Sequence, residues 1–351
     1  VWVELLLREA DHLIKEGRYA EALKAAEKAV EGASGKDLRL EVRALRHEAN
    51  ALRMLGQGGS ALARLGKILA IGGDSSRWRE IERAGVEWEI ADAYMSSVMT
   101  GMFLAEVPTE KLFVVLDAGE AYVRGIGRAE WRAGFLCERA SLLARRGRLE
   151  EAIGVAEEGL SLKLRDGSGP GATRATHRWA LGDLLYQVER YDDARAHFQA
   201  ALDDPEAIAN DHVAAQGGLA HCAFAAGDAA LARMHAGEGV RLAEGMGDEA
   251  LTAALEVFIW ACRAAGDLAA AREAVERMLQ GARRLGSTIR LYYALRNAAD
   301  VALDEKDATR ARTLIDEAEP HAEALDRQRG STMFRDEIQR RRARLAELGP
   351  A

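Results

Sequence analysis

Proline and aromatic side chains are scarce in this chain, with 5 prolines and 6% aromatics in 351 residues. Sheets draw on aromatic and β-branched residues, whereas the abundance of Ala, Leu, Glu and Arg here favours helix, so an all-α protein is expected. Cysteine is scarcer still. Cys137, Cys222 and Cys262 stand singly within helical patterns, without the even count or close spacing of a disulfide scaffold or zinc site. A cytoplasmic, reducing setting is the simplest expectation. Lys and Arg together number 48 against 56 Asp and Glu, for a net charge of −8, which removes any general attraction to nucleic acid or anionic lipid. Long apolar runs are missing as well: "LFVVL" at 112–116 falls far short of the ~20 residues that span a bilayer, so no membrane partner is expected. The chain opens "VWVELLLREA", without Met and without a basic stretch ahead of an apolar one, so it does not read as a secretory signal. That opening tilts the reading slightly toward a segment of a longer protein.

Catalytic signatures are lacking too. "GIGR" at 125–128 has no third glycine and no strand ahead of it, as dinucleotide binding requires. "GSGPG" at 167–171 lacks the Lys-Ser/Thr of a phosphate loop, and "HEAN" at His47 has no second histidine one turn later. His177, His197, His212, His221 and His235 crowd one stretch, yet they map to different helices or faces, with no pair at ligand spacing. No catalytic residue, cofactor or metal is expected, and the chain is not read as an enzyme.

What the chain has is repetition. "LIKEGRYAEALKAAEKAV" (13–30) overlays "LRMLGQGGSALARLGKIL" (52–69), "LARRGRLEEAIGVAEEGL" (143–160), "LYQVERYDDARAHFQAAL" (185–202), "AFAAGDAALARMHAGEGV" (223–240), "CRAAGDLAAAREAVERML" (262–279) and "ALDEKDATRARTLIDEAE" (302–319). Each time one helix ends, a short turn follows, and a second helix opens with Ala. In "RYDDARAHFQAAL" (190–202), Ala194, Phe198, Ala201 and Leu202 share one helical face that only neighbouring units can bury. These residues resemble the tetratricopeptide repeat (TPR). Ala10, Ala49, Ala140, Gly182, Ala220 and Ala299 match its small position in the first helix. Tyr19, Leu149, Tyr191 and Leu268 match its residue after the turn. Ala22, Ala61, Ala152, Ala194, Ala232, Ala271 and Ala311 match its small position opening the second helix. Small residues at these places let helix backbones approach closely. The resemblance implies a right-handed superhelical solenoid of about eight helix pairs.

Turns from Gly17 to Gly56, Gly227 to Gly266 and on to Lys306 recur at about 40 residues, beyond the ~34 of the basic unit. Such long units resemble those of bacterial regulatory proteins of the MalT type and of kinesin light chain. The third unit, about 78–125, is degenerate: "WEIADAYMSSV" (88–98) and "KLFVVLDAGEAYVRG" (111–125) are its helices, and "MTGMFLAEVPTE" (99–110) replaces the tight turn. Met99, Met102, Phe103 and Leu104 in that loop read either as packing or as an adaptable contact. "IGGDSSR" (71–77) and "RDGSGPGATR" (165–174) are short enough to be loops between units. A single solenoid over 1–330 is expected, followed at 331–351 by a capping helix. Phe334, Ile338, Leu345 and Leu348 form the inner face of that helix, and Arg340, Arg341, Arg342 and Arg344 its solvated side.

In the family the first helices line a concave wall that takes extended or helical peptides, so the resemblance points to a peptide- or protein-binding groove. Its positions here are Arg46, Asn50 and Arg53, then Trp88, Asp92 and Met95, then Trp179, Asp183 and Tyr186, and finally His221, Phe224, Trp260, Arg263, Arg296 and Asp300. Aromatics mixed with charges suit such a wall; the competing reading buries the aromatics between first helices. The two-carboxylate clamp of the family's cochaperone members is not expected. Arg46 and Asn50 fit its start, but Glu89, Gly134 and Glu138 stand at the following positions. Two functions remain open: a non-enzymatic binding scaffold, or a sensor and assembly segment of a larger bacterial signalling protein bearing a nucleotide-binding, kinase or protease domain.

Overall fold

The computed structural model describes residues 1–15, 18–104, 107–166, 173–329 and 331–348. Over these residues the chain is all helix, with no strand, in the order α1 (Trp2–Lys15), α2 (Tyr19–Ala33), α3 (Leu38–Met54), α4 (Gly58–Gly73), α5 (Trp78–Ala84), α6 (Glu87–Met102), α7 (Thr109–Gly125), α8 (Arg132–Arg145) and α9 (Leu149–Asp166). Then come α10 (Arg174–Gln187), α11 (Tyr191–Leu202), α12 (Ala209–Ala225), α13 (Ala229–Ala243), α14 (Asp248–Ala264), α15 (Leu268–Leu285), α16 (Thr288–Asp304), α17 (Ala308–Arg329) and α18 (Met333–Glu347). These make eight helix pairs, the short extra helix α5 and a final helix. The turn at Gly17 and the "GSGPG" stretch lie outside the described residues.

Six of the described turns within helix pairs share one geometry. At the end of α3, Gly56 N donates to Arg53 O at 3.0 Å and Gln57 N to Leu52 O at 2.9 Å, which satisfies the last carbonyls of the helix and needs a left-handed residue at the turn. Gly147, Gly227 and Gly266 repeat the arrangement at positive φ, and so do two non-glycines, Glu189 at 62° and Lys306 at 63°. Asp228, Asp267 and Asp307 follow directly and accept from the backbone N of Leu231, Ala270 and Arg310, capping α13, α15 and α17. The alanines that open the second helices are all at 0% exposure, so this position sits where two helix backbones meet.

The chain divides into two compact units, one holding α1 to α7 and most of α8, the other α10 to α18, with α9 shared between them. In the first unit Val42, Leu45, Leu65, Ile68, Ile81 and Ile90 form one apolar cluster, and Met95, Val98, Leu112, Leu116 and Phe135 another. Here the reading of 99–110 as a loop needs correction. Helix α6 runs on through Met102, with Thr100 Oγ1 bonded to Ser96 O at 2.7 Å. Gly101 lies so close to Leu112 that a Cβ there would come within 2.5 Å of Leu112 Cδ2. Met102 is 6% exposed, and Leu104 covers Gly58. Ala105 and Glu106 lie outside the described residues.

In the second unit α10, α12, α14 and α16 lie side by side, each backed by the helix that follows it. Helix α18 packs on α17 and α16 through Phe334, Ile338 and Leu345, as its apolar face requires. The buried carboxylate of Asp326 fixes its start by accepting from Phe334 N and Arg335 N, both at 3.0 Å.

A candidate peptide-binding groove

Small residues make the floor of a groove in the second unit. Ala214, Gly217 and Gly218 of α12 and Ala253 and Ala254 of α14 leave space of about 750 Å³, and larger side chains stand around it. Trp179 and Asp183 come from α10, His221 from α12, Trp260 and Arg263 from α14, and Arg296 and Asp300 from α16. Seven of the nine residues expected from this part of the sequence therefore converge on one cavity.

The other two, Tyr186 and Phe224, join it through ring contacts. Tyr186 and His221 have centroids 5.4 Å apart, His221 and Trp260 4.9 Å, and Trp260 and Phe224 4.3 Å. The ladder crosses three first helices, yet Phe224 keeps 39% of its surface in solvent and Tyr186 and Trp260 are only partly buried. Neighbouring first helices thus touch through these rings without closing over them. Burial lowers the His221 pKa, leaving a neutral ring in the ladder at pH 7.

Trp179 is held by a buried carboxylate. Asp211, 1% exposed, accepts from Trp179 Nε1 at 3.0 Å, Thr176 Oγ1 at 2.6 Å and Thr173 Oγ1 at 2.8 Å. Thr173 in turn caps α10 by accepting from Thr176 N. The indole therefore meets the groove in a fixed orientation.

At the other end of the groove the charges pair with one another. Arg263 contacts Asp304 at 2.6 Å and Asp300 at 3.5 Å; Arg296 contacts Glu256 at 2.6 Å and Glu337 at 3.5 Å. Arg296 also lies over the Tyr293 ring, 4.8 Å from its centroid. Arg290, Tyr293, Glu256 and Asn297 line this end and were not expected from the sequence. Tyr293 stands one turn before Arg296 and Glu256 one turn before Trp260, so extending the same helical faces would have found them. Arg341 is a correction: expected on the solvated side of the cap, it turns inward and donates to Asp300 at 2.7 Å. Arg344 follows it to Asp300 and Asp304.

The six residues expected from the first unit behave differently. Arg46 stacks over Trp88, 5.0 Å from the ring centroid, and approaches Asp92 at 3.7 Å. Burial raises the Asp92 pKa, opposed by Arg46. Arg53 donates to Asn50 at 2.9 Å. Met95 is 3% exposed and belongs to an apolar cluster of that unit, so it faces the packing and not a wall. Of the clustered histidines, His177 is buried and His235 meets Gln216 at 2.7 Å.

No protein-family model and no curated protein sequence matches the chain. Solved structures do. A Rap protein complexed with competence and sporulation factor aligns over 99% of both chains, with a TM-score of 0.56 and 15% identity. The apo form of the quorum sensor NprR from B. thuringiensis aligns over 97% of this chain and 98% of its own, with a TM-score of 0.51 and 11% identity. The fold is that of tetratricopeptide-repeat proteins. A third TPR likeness is to a signal transduction ATPase with numerous domains and a tetratricopeptide repeat sensor, from Pyrococcus horikoshii. It covers 96% of this chain and 49% of that one, with a TM-score of 0.50 and 15% identity. At such identities the shared property is the fold.

Proposed function

We propose that this chain is a non-enzymatic TPR scaffold, cytoplasmic and bacterial, whose groove over α10, α12, α14 and α16 binds a peptide or an extended protein segment. The observation that carries the reading is the ladder from Tyr186 through His221 to Trp260 and Phe224. Aromatic side chains fixed in place and left part-exposed along a cavity are what a binding surface needs, because little conformational entropy is lost when they are covered. The likeness to a Rap protein solved with competence and sporulation factor and to a quorum sensor supports it. Helix α18 acts as the cap and also supplies part of the wall.

A second reading, a sensor segment of a larger signalling protein, draws support from the likeness to the ATPase with a TPR sensor, about half of whose length this chain spans. The test of the first reading is selection of peptides from a random display library on the 351-residue chain. Recovered peptides should lose binding to Phe224→Ala while its melting curve stays in place. Peptides that bind Phe224→Ala unchanged would contradict the reading.

A further inference from the structure

The charges around the groove do not balance evenly. Every arginine there is already committed: Arg263 to Asp304, Arg290 to Glu249, Arg296 to Glu256 and Arg341 to Asp300. Asp183 is the exception among the acids. Its one hydrogen bond is from Gln187 Nε2 at 3.0 Å, one turn along the same helix, and no Lys, Arg or His among the described residues pairs with it.

Building on the peptide-binding reading above, we propose that the segment bound in this groove carries a lysine or arginine, and that Asp183 receives its cation beside Trp179 and the His221 ring. Asp183 lines the groove with its carboxylate still open to solvent, and the protein packed around it raises its pKa by desolvation. A partner that covers the groove with apolar side chains alone would strip the remaining water from an unpaired carboxylate, at a cost of several kcal/mol. An acidic partner would face Asp183 itself, would have to displace carboxylates already bound to the arginines, and would approach a chain of net charge −8. A cation meets none of these obstacles.

The surroundings suit it further. Trp179, one turn before Asp183 on α10, is oriented by Asp211, and an indole face attracts an ammonium or guanidinium. His221 presents a neutral ring and so no competing positive charge. The aliphatic stem of Lys or Arg can lie along these rings while its head meets the carboxylate.

A positional-scanning library of N-acetylated, C-amidated hexapeptides, bound to the full chain and to two variants, tests the assignment. The unaltered protein should enrich Lys or Arg at one position. Asp183→Asn should lower affinity for the enriched peptides at least about tenfold, as expected for loss of an interfacial charge pair. Asp183→Lys should move the preference at that position to Asp or Glu. All three proteins should melt together, since Asp183 supports no packing. Enriched peptides without a basic preference, or a basic preference that persists in Asp183→Asn, would overturn the proposal while leaving the groove as a peptide site. Failure to enrich any peptide would overturn both.

Discussion

Nη2 of Arg341 donates to the carboxylate of Asp300 across 2.7 Å, joining the last helix to the wall of the groove. Asp300 also faces Arg344 at 3.3 Å and Arg263 at 3.5 Å, so one buried acid ties α14, α16 and α18 together. Packing reinforces the tie: Phe334, at 0% exposure, meets Tyr292 edge-on with centroids 5.0 Å apart. Replacing Phe334 by Ala should cost about 3–5 kcal/mol in urea denaturation, and removing the chain from Ser331 onward should lower solubility as the face of α16 and α17 is exposed. A truncated protein that stays monomeric with an unchanged melting curve would show that α18 is not a cap.

The end of α6 should behave as core. Changing Met102 and Phe103 together to Ser should destabilise the fold by about 2–5 kcal/mol for each large buried side chain truncated, with ligand affinity unaltered once the remaining folded protein is counted. An unchanged denaturation midpoint combined with weaker binding would return this segment to the binding surface.

Close approach of backbones in the second unit is tested at Gly218. A Cβ there would lie 2.2 Å from Cε1 of Phe198, whose ring also touches Gly182. Gly218→Ala should therefore destabilise by about 1–3 kcal/mol, and adding Phe198→Leu should return part of the loss. A neutral Gly218→Ala would mean that the ring can move aside.

The turns offer a gain in stability. Glu189 and Lys306 hold the left-handed conformation that glycine holds at Gly56, Gly227 and Gly266. Glycine at either position should stabilise the protein by about 1 kcal/mol, the order of the left-handed penalty carried by a residue with a Cβ. A lower denaturation midpoint for both variants would contradict this account of the turn.

His47 gives a pH dependence. It is 8% exposed, and burial, helped by Arg46, lowers its pKa from 6.5 to about 4. Between those values the unfolded chain binds a proton that the folded chain refuses. Its contribution to stability is therefore complete above pH 6.5 and declines as the pH falls toward 4. At about 1.4 kcal/mol per pKa unit the total approaches ~3 kcal/mol. His47→Gln should show a shallower decline over this window than the unaltered chain, and an identical slope would contradict the assignment.

The repeat was legible because its determinants are local. A turn residue, a polar residue after it (Asp228, Asp267 and Asp307 in the last three units) and an alanine four residues further on recur along the chain, and the alanines lie at the helix contacts where backbones meet. The groove was legible where one residue per turn on a first helix carries an aromatic or a charge, as with Trp179, Asp183 and Tyr186. It failed at Met95, which shares that spacing but lies in an apolar cluster. Arg341 was hidden because its orientation depends on Asp300, a residue 41 positions earlier. The asymmetry between a lone Asp183 and the paired arginines was hidden for the same reason, since pairing across helices leaves no mark in local spacing.

The six tryptophans, Trp2, Trp78, Trp88, Trp131, Trp179 and Trp260, allow the most direct test of the groove. Fluorine NMR of the 5-fluorotryptophan protein, with resonances assigned by single Trp→Phe changes, would be recorded while a library-selected peptide is added. The Trp179 and Trp260 resonances should shift in proportion to occupancy. Shifts confined to Trp2, Trp78 and Trp131, with Trp179 and Trp260 unmoved at saturation, would place the ligand elsewhere and contradict the assignment of this groove.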